Sequence, residues 1–249
     1  MAEPVGYVPG PQRKPRKGGI KTVAEFVPTD RLMAVQAVDW TSEPCGFPLP
    51  APGLCWGVEV VEDKGFGDGV DTLTSGQVFA LYAGDECFIG GDLDHEARAR
   101  AVLEAGEDRA LEDRLVTMLA AADATPTDSA TFAAAIASAE NAADADYVGL
   151  PVIVMNRGDV NAASAERVLF TDAAGKLWTT NGTPVLATSA VPAGDFYVTG
   201  EILVLVSGEI LAQTVIHHIE NKQMAIAERA YALGIDCDYV VAYSVTEVP

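Results

Sequence analysis

The sequence predicts an α+β fold with a helical middle and a strand-rich second half. Three observations carry that prediction. The stretch from Leu93 to about Ala122 has no proline, one glycine (Gly106), and an abundance of Ala, Leu, Glu and Arg, the strong helix formers. From Val148 onward, short apolar runs such as LPVIVM (150–155) and ILVLV (202–206) alternate with turn signals. Ahead of both lie segments rich in proline and glycine that have too little apolar periodicity to bury themselves.

Residues 1–35 read as an N-terminal arm. Prolines and glycines up to Gly19 favour an extended path, with a short strand or helix over Thr22–Val27. The arm is expected to be disordered or docked on something else. Residues 36–76 read as an extended loop. Within it, EPCGFPLPAPG (43–53) excludes a helix, CWGVEVVE (55–62) reads as a strand and DKGFGDG (63–69) as a turn. A weakly packed excursion of this length is usually functional, either as an active-site lid or as a projection that pairs with a neighbour's sheet edge. Val78–Ala83 and Glu86–Ile89 supply short apolar segments before the long helix.

That helix opens with Asp92 and Asp94 as N-cap candidates and Glu96 in its first turn. Leu93, Ala97, Ala101, Ala105, Leu111, Leu115, Met118, Leu119 and Ala122 recur at steps near three and four, which predicts one apolar stripe. Asp94 with Arg98, Glu96 with Arg100 and Arg109 with Asp113 have ion-pair spacing. At 1.5 Å per residue the helix spans roughly 40–45 Å, more than twice the globular average. A second helix over Ala130–Asn141 places Phe132, Ile136 and Ala139 on one side.

In the second half, Leu150–Met155 reads as a strand buried on both faces and Val160–Val168 as a short helix. Leu169–Phe170 and Leu177–Thr179 form a hairpin around Asp172–Gly175, and Asn181-Gly182 is a tight turn into Pro184–Ala187. Strands follow at Phe196–Val198, Ile202–Val206 and Leu211–Ile219. NKQMAIAERAY (221–231) reads as a helix, and Asp238–Val245 as the final strand.

Formal charge is −20 over 249 residues, but its distribution is uneven. Residues 1–21 hold Arg13, Lys14, Arg16, Lys17 and Lys21 against Glu3, so they sum to +4 and leave −24 on the rest. A basic arm on an acidic body is drawn to acidic surfaces, including those of identical neighbours. The alternative is a basic tail that binds nucleic acid without sequence preference; the acidic body argues against nucleic-acid binding elsewhere. No apolar run reaches the length of a membrane span, and the N-terminus lacks the apolar core of a signal peptide, so no membrane association is expected. Cys45, Cys55, Cys87 and Cys237 show no metal-ligand spacing and are expected to be free thiols, although Cys45 and Cys55 flank a bend and could pair.

Catalytic signals are weak. The sequence has no GxSxG, Walker A, HExxH or GxGxxG pattern, and no catalytic residue, cofactor site or metal site is assigned. His217 and His218 are adjacent in an apparent strand and face opposite ways, one toward the core or an interface and one toward solvent. Asp236 and Asp238 are numerically unremarkable among 36 acidic residues and read as a solvated acidic face.

The order of parts, and three stretches in particular, carry a resemblance. GLPVIVMNRGDVNAA (149–163) is similar to a strand, Asn-containing turn and short helix of the major capsid proteins of tailed bacteriophages. LFTDAAGKLWTTNGTPVLATSAVPAG (169–194) resembles the same family's small loop followed by Gly-x-Pro-Val, and ENKQMAIAERAYALGIDCDYVVAYSV (220–245) its closing Glu-Arg … Gly-Ile-Asp stretch. The fold is shared with encapsulin shells and the herpesvirus capsid floor. The resemblance covers Gly90 to Val245. It implies an arm (1–35), an extended loop (36–76), a peripheral domain with a spine helix (77–122 and 200–231) and an axial α/β domain (123–199 and 232–249). It also implies a non-enzymatic subunit that self-assembles as pentamers and hexamers into an icosahedral shell around double-stranded DNA. Portal, scaffolding and cement proteins are its further candidate partners. Such a shell forms in the bacterial host cytoplasm and ends as the virion capsid. Arg13, Lys14, Arg16, Lys17, Lys21, Lys64 and Phe66 are the candidate intersubunit contacts. The alternatives are an encapsulin-like compartment or another phage structural protein, and, from a different class, a soluble metal- or nucleotide-dependent enzyme with residues 40–76 as a lid.

Overall fold

The structure, a computed structural model, describes residues 16–30, 32–41, 73–88, 94–122, 124–208 and 210–246. In chain order its elements are β1 (Glu25–Pro28), β2 (Ala37–Thr41), β3 (Leu73–Phe88), α1 (His95–Ala121), β4 (Thr127–Ser129), α2 (Phe132–Asp146), β5 (Val152–Asn156) and α3 (Asp159–Ala165). There follow β6 (Leu169–Thr171), β7 (Leu177–Thr179), β8 (Pro184–Thr188), β9 (Asp195–Thr199), β10 (Ile202–Val206), β11 (Leu211–His217), β12 (Lys222–Ile235) and β13 (Val240–Val245). The expected class, α+β with a long helix ahead of a strand-rich half, is what the chain forms.

The strands make two sheets. The first has the order β1-β10-β12-β3-β2, with β11 also on β12. β12 is its backbone: one side pairs antiparallel with β3 from Val78 to Phe88, and the other pairs with β11 over Lys222–Glu228 and then with β10 over Tyr231–Ile235. The second sheet, β4-β13-β9-β5-β8-β7-β6, is mixed, with β5 parallel to β8 and antiparallel to β9.

Helix α1 joins the sheets. Leu111, Leu115 and Leu119 pack with Val204, Tyr231 and Leu233 of the first sheet and with Val152, Val154 and Leu186 of the second. On the far face of the second sheet, Phe132, Ala135, Ile136 and Ala139 of α2 cover Ile153, Met155, Val185 and Val198. β5 is therefore covered on both faces, which is why its sequence is a continuous apolar run. Asp94 caps α1 by accepting from the Ala97 N–H at 2.9 Å, and Thr131 caps α2 in the same way through Ala134.

Four expectations are corrected. NKQMAIAERAY is not a helix but most of β12. Its helix-forming residues are overruled by pairing on both edges, and Ala225 and Ala227 let α1 approach closely through Ala99 and Leu103. Second, the buried line of α1 in its first half runs His95, Ala99, Leu103 and Glu107, while Ala97, Ala101 and Ala105 are exposed. A stripe drawn from apolar residues alone misses this face, because two of its members are ionisable groups with partners on the sheet. His95 Nδ1 lies 2.6 Å from Asp85 Oδ2, and Arg229 Nη1 lies 3.3 Å from Glu107 Oε2. Third, Cys237 is disulfide-bonded rather than a free thiol. Fourth, neither His217 nor His218 faces the core of the subunit: both are exposed, because β11 ends at His217 and the chain turns back there.

Candidate intersubunit surfaces

The described root of the arm lies on its own subunit. A single 3₁₀ turn, Ile20–Thr22, buries Ile20 completely against α1 and the second sheet, and β1 then adds a parallel edge strand to β10. Burying one such side chain stabilises by roughly 1.5–3 kcal/mol. Two ion pairs flank it. Arg16 Nη2 lies 3.0 Å from Glu112 Oε2, whose other oxygen accepts from the Ile20 N–H at 3.3 Å. Lys21 Nζ lies 2.8 Å from Asp108 and 3.3 Å from Glu107. Burial pulls the Lys21 ammonium down, but the hydrogen bond and charge of Asp108 and the charge of Glu107 outweigh it, so the group titrates above its usual range. Lys17 is exposed, and its carbonyl accepts from Arg157 Nη2 at 3.1 Å. Burial and the neighbouring Arg16 charge lower the Arg157 guanidinium, with Glu112 opposing them.

Of the seven residues singled out in the sequence, Arg16, Lys17 and Lys21 are thus brought together along α1 and the β8 side of the second sheet. Arg13, Lys14, Lys64 and Phe66 lie outside the described residues, as does the strand expected over residues 55–62.

Sequence reading missed a surface at the far end of the first sheet. The α1 side of β3, β12 and β11 is closed by Ala83, Ala212, Ala225 and Ala227 under Ala99 and Leu103. On the other side the register sets Tyr82, Ile226 and Val215 on one face, and they are 77%, 38% and 45% exposed. Ile219 stands fully exposed at the tip of the β11–β12 hairpin. Isolated exposed apolar residues are ordinary, but a contiguous group marks an interaction surface. The available signal was Ile219 itself, an isoleucine inside the polar run HHIENK. Among the described residues no cluster of three or more His, Cys, Asp or Glu is arranged to hold a metal ion, and no helix is long and apolar enough to cross a membrane.

No protein-family profile matches the chain, and no curated protein matches it in sequence. In structure it is similar, over nearly its whole length, to shell proteins. The capsid subunit of an empty GTA particle matches with a TM-score of 0.62 at 13% identity, covering 99% of this chain and 96% of that one. The SrpI encapsulin of Synechococcus elongatus PCC 7942 matches at 0.57 and 9% identity, covering 100% and 95%. The mature capsid protein of bacteriophage PhiM1 matches at 0.53 and 10%, covering 100% and 93%. The chain has the fold shared by phage major capsid proteins and encapsulins.

Proposed function

We propose that this chain is the subunit of the icosahedral capsid shell of a tailed bacteriophage. It is a structural protein that assembles with copies of itself into pentamers and hexamers, enclosing double-stranded DNA without reading its sequence. The end-to-end match to a capsid subunit, with 99% of one chain on 96% of the other, supports this reading. The first sheet with α1 would form the peripheral domain (77–122 and 200–231), and the second sheet with α2 and α3 the axial domain (123–199 and 232–249). Arg16 and Lys21 root the arm on its own subunit, and Arg13, Lys14, Lys17, Lys64 and Phe66 carry contacts outward. Heterologous contacts of this kind close into rings and then into a shell. Portal, scaffolding and cement proteins would meet the finished rings, assembly would take place in the bacterial host cytoplasm, and the virion is the final location.

Electron microscopy of the purified full chain tests this. Closed shells or capsomer rings are the expected result; a strictly monomeric protein, with no assembly partner missing, overturns the reading. The encapsulin match motivates a second reading, a cellular compartment. Particles that co-purify with a protein cargo and no DNA would favour it.

A further inference from the structure

A cavity of about 340 Å³ opens between the two sheets, where β5 and β8 begin. Trp40, Leu150 and Pro184 give it an apolar wall, and the acidic residues Glu25, Glu201 and Asp236 also line it, the first two exposed to solvent and the third partly buried. Tyr147 fixes the acidic side: its hydroxyl donates to Asp236 Oδ2 at 2.8 Å and accepts from the Glu201 N–H at 3.0 Å. Burial, together with the carboxylate of Asp236, holds that phenol neutral well above its usual range. Among the described residues none of the three carboxylates has a Lys, Arg or His nitrogen within ion-pair distance. Every such cation that pairs does so elsewhere.

Three acidic residues around one cavity give it a negative potential that favours a cation. The lining suits a cation on an aliphatic stem: the stem lies along Leu150 and Pro184, the head meets carboxylates, and the indole face of Trp40 adds cation–π attraction. We propose that the cavity receives the ammonium of Lys14 from the N-terminal segment of a second copy of this chain. The path of the arm favours a neighbour as donor. Gly18 O accepts from the Ala187 N–H, and the chain then runs to Val23 and Glu25 at the cavity. Arg16 therefore sits toward the Ala187 end of β8 while Pro184, at the other end, lines the cavity. The described arm thus begins, at Arg16, on the side away from the cavity of its own subunit. Charge favours the same pairing, since the arm is the one basic stretch of an acidic chain.

This inference rests on the shell reading, and its test separates the two. Particles assembled from a mixture of ordinary and ¹⁵N-labelled full-length chains are treated with a carbodiimide, which joins an amine to a carboxylate in direct contact. Mass spectrometry should find Lys14 joined to Glu25, Glu201 or Asp236 in pairs of mixed isotope. Pairs of a single isotope only would mean that each arm fills its own cavity, and no such crosslink would mean that the cavity has another occupant; either overturns the proposal while leaving the shell intact. Failure to form any particle overturns the shell reading first. As a second measurement, particles of the E25Q/E201Q variant, which keeps the Tyr147 hydrogen bonds, should dissociate at a lower salt concentration than wild type. An unchanged dissociation midpoint counts against the proposal.

Discussion

Arg16 holds Glu112 across the root of the arm, its Nη2 3.0 Å from a carboxylate with no exposed surface. The pair lies beside Ile20, which is equally buried, so the arm divides into a segment inside the subunit core and a segment before it. A basic arm on an acidic body suggests that all of residues 1–21 could be removed without cost to the fold; the structure packs Arg16, Ile20 and Lys21 of that stretch against the subunit core. Deleting 1–15 should leave thermal unfolding of the dispersed subunit nearly unchanged while weakening assembly. Deleting 1–21 also strips Ile20 and both ion pairs and should lower the melting temperature markedly. Arg16→Ala alone should cost about 2 kcal/mol, less than the roughly 3–5 of a fully buried pair, because over a third of Arg16 remains in water. A 1–21 deletion that melts with the full chain would show that the root of the arm is not part of the core.

Trp40 packs onto the backbone at two glycines as well as onto neighbouring apolar side chains. A Cβ at Gly76 would stand 2.7 Å from the indole, and one at Gly234 would overlap it. These two glycines, on β3 and β12, make the seat on which the indole of the edge strand β2 lies across the first sheet, beside Leu205, Ala230 and Ala232. Gly234→Ala should therefore lift the indole and destabilise by about 1–3 kcal/mol, the usual range for overpacking. Denaturant unfolding measures this, and the double-mutant cycle with Trp40→Ala identifies the cause. Once the indole is gone, the alanine at 234 should cost little.

This glycine seat also shows why some of the structure was legible in the sequence and some was not. Helix α1, the Asn181-Gly182 turn and the doubly covered β5 announce themselves locally, through composition, a residue at φ 95° and an unbroken apolar run. β12 does not. Ala225, Ala227 and Gly234 are poor strand formers chosen for what passes over them, and only the partner elements reveal that. The buried face of α1 was hidden for a related reason. Glu107 and Glu112 look like solvent-facing charges until Arg229, Lys21 and Arg16 arrive from positions distant in sequence. The root of the arm was readable as a segment in need of a surface, but which surface is a property of the folded subunit. The junction cavity has no counterpart in any single stretch, because its lining residues come from distant parts of the chain.

Cys237 adds a covalent constraint at the turn between β12 and β13. It follows the last residue of β12 by two positions and precedes β13, in a left-handed conformation with φ 57°. The bond it makes should stabilise the subunit by about 2–4 kcal/mol, the typical range for a disulfide. Adding a thiol reductant should lower the melting temperature of the wild-type chain. Cys237→Ser should lower it similarly and abolish most of the response to reductant. Identical melting with and without reductant would show that the bond contributes no stability.

Glu140 ties α2 to the β7–β8 turn. One oxygen accepts from the Thr179 and Thr183 hydroxyls, the latter at 2.7 Å, and the other accepts from Asn181 Nδ2 at 2.6 Å. Three donors on one carboxylate hold a turn whose backbone already needs Gly182 at positive φ. Thr179 and Thr183 are buried, so removing the acceptor leaves two hydroxyls without it. Glu140→Ala should therefore destabilise by about 2–4 kcal/mol, at roughly 1–3 per buried group left unsatisfied. Glu140→Gln keeps an acceptor oxygen for the threonines but turns an amide donor toward Asn181, and it should fall between wild type and alanine. Because the turn projects from the second sheet, hydrogen exchange should show the loss first at the amides of Asn181–Thr183. Uniform loosening across the sheet, with no preference for those amides, would mean that Glu140 stabilises α2 in general rather than this turn.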